Sequence, residues 1–207
     1  MNIPDKALNR LTLYHFILND QNSDYISSAT IADLLHIDDS QVRKDIAYLG
    51  NSGKCRVGYD VKRLKKSIEE SLGFKQVKNA FIIGAGNLGS ALAKYDSFSD
   101  YGLNIIAMFD NDLNKIGTQI SNKNVFSISE IETHIKKSNV EIAILTVPRN
   151  FAQRVAEVLI KSGIKYIWNF TPCILDVPKE IIVWNENLVG SFLQFTNNDE
   201  VKSKNDN

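Results

Sequence analysis

The chain has no net charge: 24 lysines and arginines balance 24 aspartates and glutamates over 207 residues. A uniformly basic surface, the simplest mark of a nucleic-acid binder, is thereby excluded, and so is a strongly acidic one. Cysteine is nearly missing. Its two copies, Cys55 and Cys173, lie far apart and in no metal-ligand spacing, which excludes a disulfide framework and suits a reducing compartment. No apolar run approaches the ~20 residues of a membrane-spanning helix. The opening "MNIPDKALNR" lacks the basic start and apolar stretch of a signal peptide, so a cytoplasmic location without a membrane partner is expected. Only three histidines occur. His15 lies beside apolar neighbours, His36 in a break between helices and His134 on a polar helix face, so each reads as structural rather than as a general base. Cys173 has no histidine or lysine near it to activate a thiol. With no catalytic constellation and no metal-ligand set, the expectation is a protein that is not an enzyme.

What is present is an ordinary globular composition, 43% hydrophobic and 23% charged, enough for one large or two small domains. Residues 6–19 place Leu8, Leu11, Leu13, Tyr14, Ile17 and Leu18 at three and four spacing, which predicts a helix. "SSATIADLLHIDDSQVRKDIAYLG" predicts a second helix after Ser27 or Ser28, a break at His36 to Asp38 and a third helix capped by Asp39 or Ser40. The third helix offers Gln41, Arg43, Lys44 and Tyr48 outward, with Val42, Ile46 and Leu49 packed inward. In "GNSGKCRVGYDV", Gly50, Gly53 and Gly58 are spaced for a hairpin, and Val61, Leu64, Ile68 and Leu72 mark a fourth helix. A helix-turn-helix followed by a hairpin is a winged helix.

Charge is concentrated on this stretch. From Gln41 to Lys66, eight cations face only Asp45 and Asp60, so the segment carries +6 and the remainder −6. A solvated lysine face accounts for Lys62 to Lys66; it accounts less well for Lys54 and Arg56 in a glycine loop.

Beyond residue 75 short apolar strands alternate with helices. "AFIIG", "NIIAMFD", "EIAILTVP" and "KYIWNF" are separated by predicted helices at 87–95, 127–137 and 149–162, which implies a parallel sheet covered on both faces. Ser127 and Glu130 form a capping-box pattern. A last strand at 181–184, a short helix at 187–195 and the polar end "NNDEVKSKNDN" complete the chain. The expected fold class is α/β: an N-terminal winged helix-turn-helix domain at 1–75, a Rossmann-like parallel-sheet domain at 76–184, a C-terminal helix at 185–196 and a disordered tail at 197–207.

"FIIGAGNLGSALAKY" holds Gly84, Gly86 and Gly89 as GxGxxG between a strand and a helix, the context that a dinucleotide fingerprint requires. Gly84 allows the tight turn, Gly86 lets backbone approach a pyrophosphate, and Gly89 lets helix and strand pack closely, with Asn87 and Leu88 completing the cradle. Asp110 ends the second strand where a carboxylate can accept from ribose hydroxyls. Asn111 and Asp112 follow where a 2′-phosphate binder would want arginine, so NAD(H) is preferred to NADP(H), with coenzyme A as the rival adenine-containing ligand. Thr146, Val147 and Pro148 in "TVP", and Asn169, Phe170, Thr171 and Pro172 in "NFTP", close two strands at their carboxyl ends. They either line a nicotinamide pocket or simply terminate strands at prolines.

Taken together, "RLTLYHF", "QVRKDIAYLG" with "VGYDV", "GAGNLGSALAKY", "FDND", "EIAILTVP", "AQRVAEVLIKSGIKYIWNF" and "NFTP" resemble the Rex family of bacterial redox-sensing repressors over about residues 3–195. The resemblance implies a homodimer whose last helix packs into the partner subunit, bound to a near-palindromic operator with NAD⁺ and released by NADH. It further implies that Arg43 and Lys44 contact DNA from the recognition helix and Lys54, Arg56 and Tyr59 from the wing. Arg10, Tyr95 and Asn187 would belong to the switch. Two departures from the family pattern stand out: Cys55 and Arg56 stand where a cation and then glycine are usual, and Asn187 stands where relatives carry an aspartate able to pair with the positions held here by Tyr95 and Arg10. The alternatives are a small NAD-dependent dehydrogenase and a DNA-binding relative with a weakened or lost NADH response.

Overall fold

The computed structural model describes residues 3–51 and 53–205, with side chains as far as 197. The chain divides into two units, Met1–Gln76 and Val77–Asn207, one residue past the expected boundary.

In the first unit, α1 (Asp5–Asn19) buries Ala7, Leu11, Tyr14, His15 and Leu18 on one face. The α2 helix (Ser28–Leu35) starts where the Ser27 hydroxyl accepts from the Thr30 N–H at 3.0 Å. It stops at His36, whose left-handed backbone (φ 53°) makes the break read from the sequence. The α3 helix (Asp39–Ala47) is capped one residue earlier than expected, by Asp38 accepting from Ser40 N–H at 2.7 Å. Ile31, Val42, Ile46, Leu64 and Ile68 meet in the core of the unit, each burial contributing about 1.5–3 kcal/mol. The last of its helices, α4 (Val61–Leu72), is capped by Asp60 and ends at Gly73.

The expected hairpin is built differently. Within the glycine loop a bridge joins Lys54 to Gly58. The returning strand β2 (Tyr59–Asp60) pairs antiparallel with β1 (Tyr25–Ile26), ahead of α2. Glycine permits this: a Cβ on Gly58 would lie 2.4 Å from the Ile26 carbonyl oxygen, and φ there is +101°. A two-residue strand is too short to show alternation, which is why β1 left no signal in the sequence.

The second unit is a seven-stranded sheet ordered β5-β6-β4-β3-β7-β8-β9. Its strands are β3 (Lys78–Ile83), β4 (Leu103–Asp110), β5 (Gln119–Ile120), β6 (Lys123–Ser127), β7 (Ile142–Leu145), β8 (Tyr166–Asn169) and β9 (Ile182–Asn185). Every neighbouring pair is parallel except β5 with β6. Without the short β5, the order is that of a doubly wound dinucleotide fold, reversing direction between β3 and β7. Helices α5 (Asn87–Ala93), α6 (Ile131–Ser138) and α7 (Arg149–Lys161) connect strands. The capping box at Ser127 and Glu130 forms on the 3₁₀ turn leading into α6.

The C-terminal helix α8 spans Leu188–Asn205, with Asn187 Oδ1 accepting from Gly190 N–H at 2.8 Å in its first turn. It continues past the boundary expected at residue 196, so 197–205 are helical rather than frayed; no proline or glycine follows Gly190 to stop it. Residues 206 and 207 of the expected tail lie outside the described residues. Leu188, Val189, Phe192, Leu193 and Phe195 are exposed on this helix. Among the described residues no helix is long and apolar enough to cross a membrane.

Candidate functional site

A cleft of about 870 Å³ opens at the carboxyl ends of the strands where the sheet order reverses. Gly84, Gly86 and Leu88 form its floor, Asp110, Asp112 and Lys115 one side, and Thr146, Val147, Pro148 and Phe170 the other. The glycines do different work. Gly84 has φ +105°, and a Cβ there would lie 2.9 Å from the Thr146 carbonyl oxygen. On Gly89 a Cβ would fall 1.9 Å from the Gly84 carbonyl oxygen, so helix and strand touch backbone to backbone. A Cβ on Gly86 would meet nothing within 4 Å, leaving space above the cradle for a ligand.

Asp110 is more committed than its position at a strand end suggests. Its Oδ2 accepts from Ala85 N–H at 2.7 Å and lies 3.4 Å from Lys115 Nζ, while Oδ1 accepts from Asn111 and Asp112 N–H at 2.8 and 2.9 Å. Burial pushes this carboxyl up, but the three backbone donors and the Lys115 charge more than reverse that and hold it below the usual 3.8. Lys115 also approaches Asp112, at 3.7 Å. Asp112 also lines the cleft, its Oδ1 accepting from the Asn114 N–H and side-chain amide at 3.0 and 3.1 Å.

"NFTP" divides. Phe170 lines the cleft. Asn169 is fully buried and spends its amide inside the protein, donating to the Cys173 carbonyl and Asn185 Oδ1 and accepting from the Thr171 N–H and hydroxyl. Asn169 and Thr171 thus hold the turn that places Phe170, and Pro172 is exposed away from the lining. Neither Asn87 nor Gly89 lines the cavity. The lining residues with no earlier expectation are Ile83, Phe109, Lys115, Ile128, Ser129 and, on α7, Phe151, Arg154, Val155 and Val158, whose side of the helix forms one wall. Their three and four spacing was visible, but nothing in the sequence said that this face looks onto a cavity rather than a core.

The first unit holds a second constellation. Asp45, on the inward side of α3, is 0% exposed and accepts four hydrogen bonds. Arg10 of α1 donates through Nε to Oδ2 (2.6 Å) and Nη2 to Oδ1 (2.8 Å), Tyr14 donates its hydroxyl at 2.7 Å and Gln41 its amide at 2.9 Å. Burial pushes the Asp45 carboxyl up, and the bonds from Arg10, Tyr14 and Gln41 with the Arg10 charge carry it below the usual 3.8. The same contacts raise Arg10, and burial with the Asp45 bond raises Tyr14. Gln41, expected to face outward, therefore turns its donor inward. Asp45 was counted only as a charge opposing the basic stretch.

Both depressed carboxylates make the fold acid-sensitive. A group whose folded pKa lies below its unfolded value stabilises fully above the unfolded value, and that contribution is lost as pH falls through the folded one. Stability measured by denaturant titration should thus be level near neutrality and fall below about pH 4, and Asp45→Asn should remove part of that slope.

On the outer side of α3, Lys44 and Tyr48 are exposed, and Arg43 pairs with Asp39 of its own helix while Nη1 lies 3.4 Å from the Ser28 hydroxyl. In the glycine loop, Lys54 Nζ donates to the Tyr25 hydroxyl at 3.1 Å and lies 5.2 Å from that ring's centre. Arg56 sits at φ +61°, in the left-handed region that favours glycine. Tyr59 is half buried at the edge of the core. Cys55 is exposed. His134 stacks on Phe126, with ring centres 4.1 Å apart, and His15 lies 3.2 Å from Glu69, both structural settings. Of the three residues assigned to a switch, Arg10 is bound to Asp45, Tyr95 is exposed beside Phe98, and Asn187 opens α8.

A family model for a CoA binding domain matches residues 75–173, and one for a putative DNA-binding protein N-terminus matches 2–47. The redox-sensing transcriptional repressor Rex of Treponema denticola is 44% identical over 189 residues, covering 90% of each chain. The chain belongs to the Rex family. The Rex protein of Clostridium botulinum is 38% identical over 198 residues, 94% of each chain. Among solved structures, RSP in complex with beta-NAD⁺ and operator DNA aligns with a TM-score of 0.87 at 33% identity, covering 99% of this chain and 97% of that one. RSP in complex with beta-NADH aligns with a TM-score of 0.87 at 32% identity, covering 99% of each. The fold class expected from the sequence, an N-terminal DNA-binding domain and a C-terminal Rossmann-like domain, is the Rex fold.

Proposed function

We propose that this chain is a redox-sensing transcriptional repressor of the cytoplasm, which binds operator DNA as a homodimer and is released when NADH replaces NAD⁺. The observation that carries the reading is the open glycine cradle at the sheet's reversal point, in a chain whose other unit is a winged helix. Gly84 and Gly86 receive the pyrophosphate, Asp110 and Asp112 face the adenosine ribose, and Thr146 to Pro148 with Phe170 surround the nicotinamide. A dehydrogenase is disfavoured, since the relatives are named repressors. The family model's coenzyme A is the alternative ligand.

On DNA, Arg43, Lys44 and Tyr48 form the outward face of α3, with Gln41 Oε1 left to accept; Lys54 and Arg56 add phosphate contacts from the wing. The exposed apolar residues of α8 supply the dimer contact, packing into the partner subunit. Ligand acts through the difference in its affinity for DNA-competent and released states; turning a 99:1 mixture into 1:99 requires about 5.5 kcal/mol. The test is a gel shift on the DNA upstream of the chain's own gene. Release by NADH and retention with NAD⁺ is expected; equal behaviour with both overturns the sensor reading.

The wing offers a separable prediction. Arg56→Gly should relax the left-handed backbone by about 1 kcal/mol and weaken operator binding. Its slope of log affinity against log salt should be shallower by about 0.9 per wing, read by fluorescence anisotropy. An unchanged slope would take Arg56 off the DNA.

A further inference from the structure

Phe170, on the nicotinamide side of the cleft, is the first ring of a chain that leads away from it. Its centre lies 4.9 Å from Trp168. Trp168 meets Phe98 edge-on at 5.7 Å, and Phe98 meets Tyr95 edge-on at 4.8 Å. Tyr95 is 57% exposed, so the rings run from cavity wall to surface.

The same indole has a second arm. Trp168 Nε1 donates to Glu186 Oε1 at 2.8 Å, and that oxygen also accepts from Trp184 Nε1 at 3.1 Å. The Glu186 N–H donates to the Asn169 carbonyl at 2.8 Å, fixing the residue directly ahead of Asn187, which caps α8. Trp168 therefore touches the cavity wall, the route to Tyr95 and Glu186, the residue ahead of the Asn187 cap of α8.

We propose that Trp168 is a positioning residue that transmits the state of the nicotinamide to two surfaces at once, Tyr95 and the start of α8. The proposal rests on the reading of the cleft as an NAD(H) site. The oxidised ring is a cation and the reduced ring is neutral, and an aromatic wall responds to that difference because its face attracts positive charge. Rings in contact in a packed interior move together rather than compress. Phe98 and Glu186 are separate links in the two arms, so each is cut without touching the cleft.

Full-length protein and the Phe98→Leu, Glu186→Ala and Glu186→Gln variants are compared by calorimetry with NADH and by NADH-driven release from the operator. All should bind NADH within about threefold of one another. Phe98→Leu and Glu186→Ala should need roughly tenfold more NADH for half-release, while Glu186→Gln, which keeps an acceptor for the indole, should behave as the parent. Trp184→Phe leaves Trp168 as the sole tryptophan, and its emission should change more with NADH than with NAD⁺. The proposal is overturned if Phe98→Leu and Glu186→Ala bind NADH and release DNA at the parent's midpoint. Failure of the parent itself to bind NADH overturns the reading of the cleft, and the relay with it.

Discussion

Asp45→Ala should destabilise the N-terminal unit by about 3–5 kcal/mol, the cost of removing one partner from a buried ion pair. The variant strands the Arg10 guanidinium, the buried Tyr14 hydroxyl and the Gln41 amide together, because all four bonds converge on one carboxylate. Those bonds are also what fasten α3 to α1, so operator binding should be lost even where the helices persist. Because the chain has two units, a single unfolding midpoint is a poor measure; hydrogen exchange of α1 and α3 amides reads the loss directly. Asp45→Asn keeps an acceptor and should lie between parent and alanine variant. Parental protection of α1 and α3 in Asp45→Ala would refute the account. The pair need not be the most stable solution: Arg10→Met and Asp45→Leu together with Tyr14→Phe, which leaves no buried hydroxyl stranded, should recover much of the stability.

Gly89→Ala should close the cradle. The new methyl would sit 1.9 Å from the Gly84 carbonyl oxygen and 2.8 Å from the Thr146 hydroxyl. Neither is the end of a flexible side chain; the first is backbone, and the Thr146 oxygen is held by donating toward the Ile83 and Gly84 carbonyls. The α5 helix must move away from β3, at a cost of roughly 3 kcal/mol, the upper end of ordinary overpacking. NADH affinity measured by calorimetry should fall at least about tenfold. Gly86→Ala is the matched control: its methyl meets no protein atom, so stability should hold while ligand binding weakens. Unaltered NADH binding in Gly89→Ala would contradict the close packing described.

The layout of helices and long strands was legible because each rests on local physics. The Ser27 hydroxyl marks the start of α2, and the alternation of strand and helix beyond residue 75 points to a parallel sheet covered on both faces, whereas the Asp60 cap and the Gly73 stop of α4 emerged only in the structure. What stayed hidden depends on distant partners. Nothing near Tyr25 announces that it pairs with Asp60 across the unit. The short β5 and β6 strands hold too few apolar residues to stand out. The glycine fingerprint and Asp110 could be placed from spacing, whereas the α7 face at Phe151 and Val155 required the sheet before it could be seen to line a cavity. Buried polar hubs were hardest: Asn169 was read as a possible cleft residue and Asp45 as background charge, although burial makes each an organiser of its surroundings.

Asp110 also bears on timing. Its carboxylate ties the glycine turn at Ala85 to the start of the loop after β4 through the protein's own backbone donors. A dinucleotide that settles there finds the loops already ordered, so little conformational entropy is surrendered on binding. Pre-ordering of this kind would spare the association step a rearrangement of these two loops.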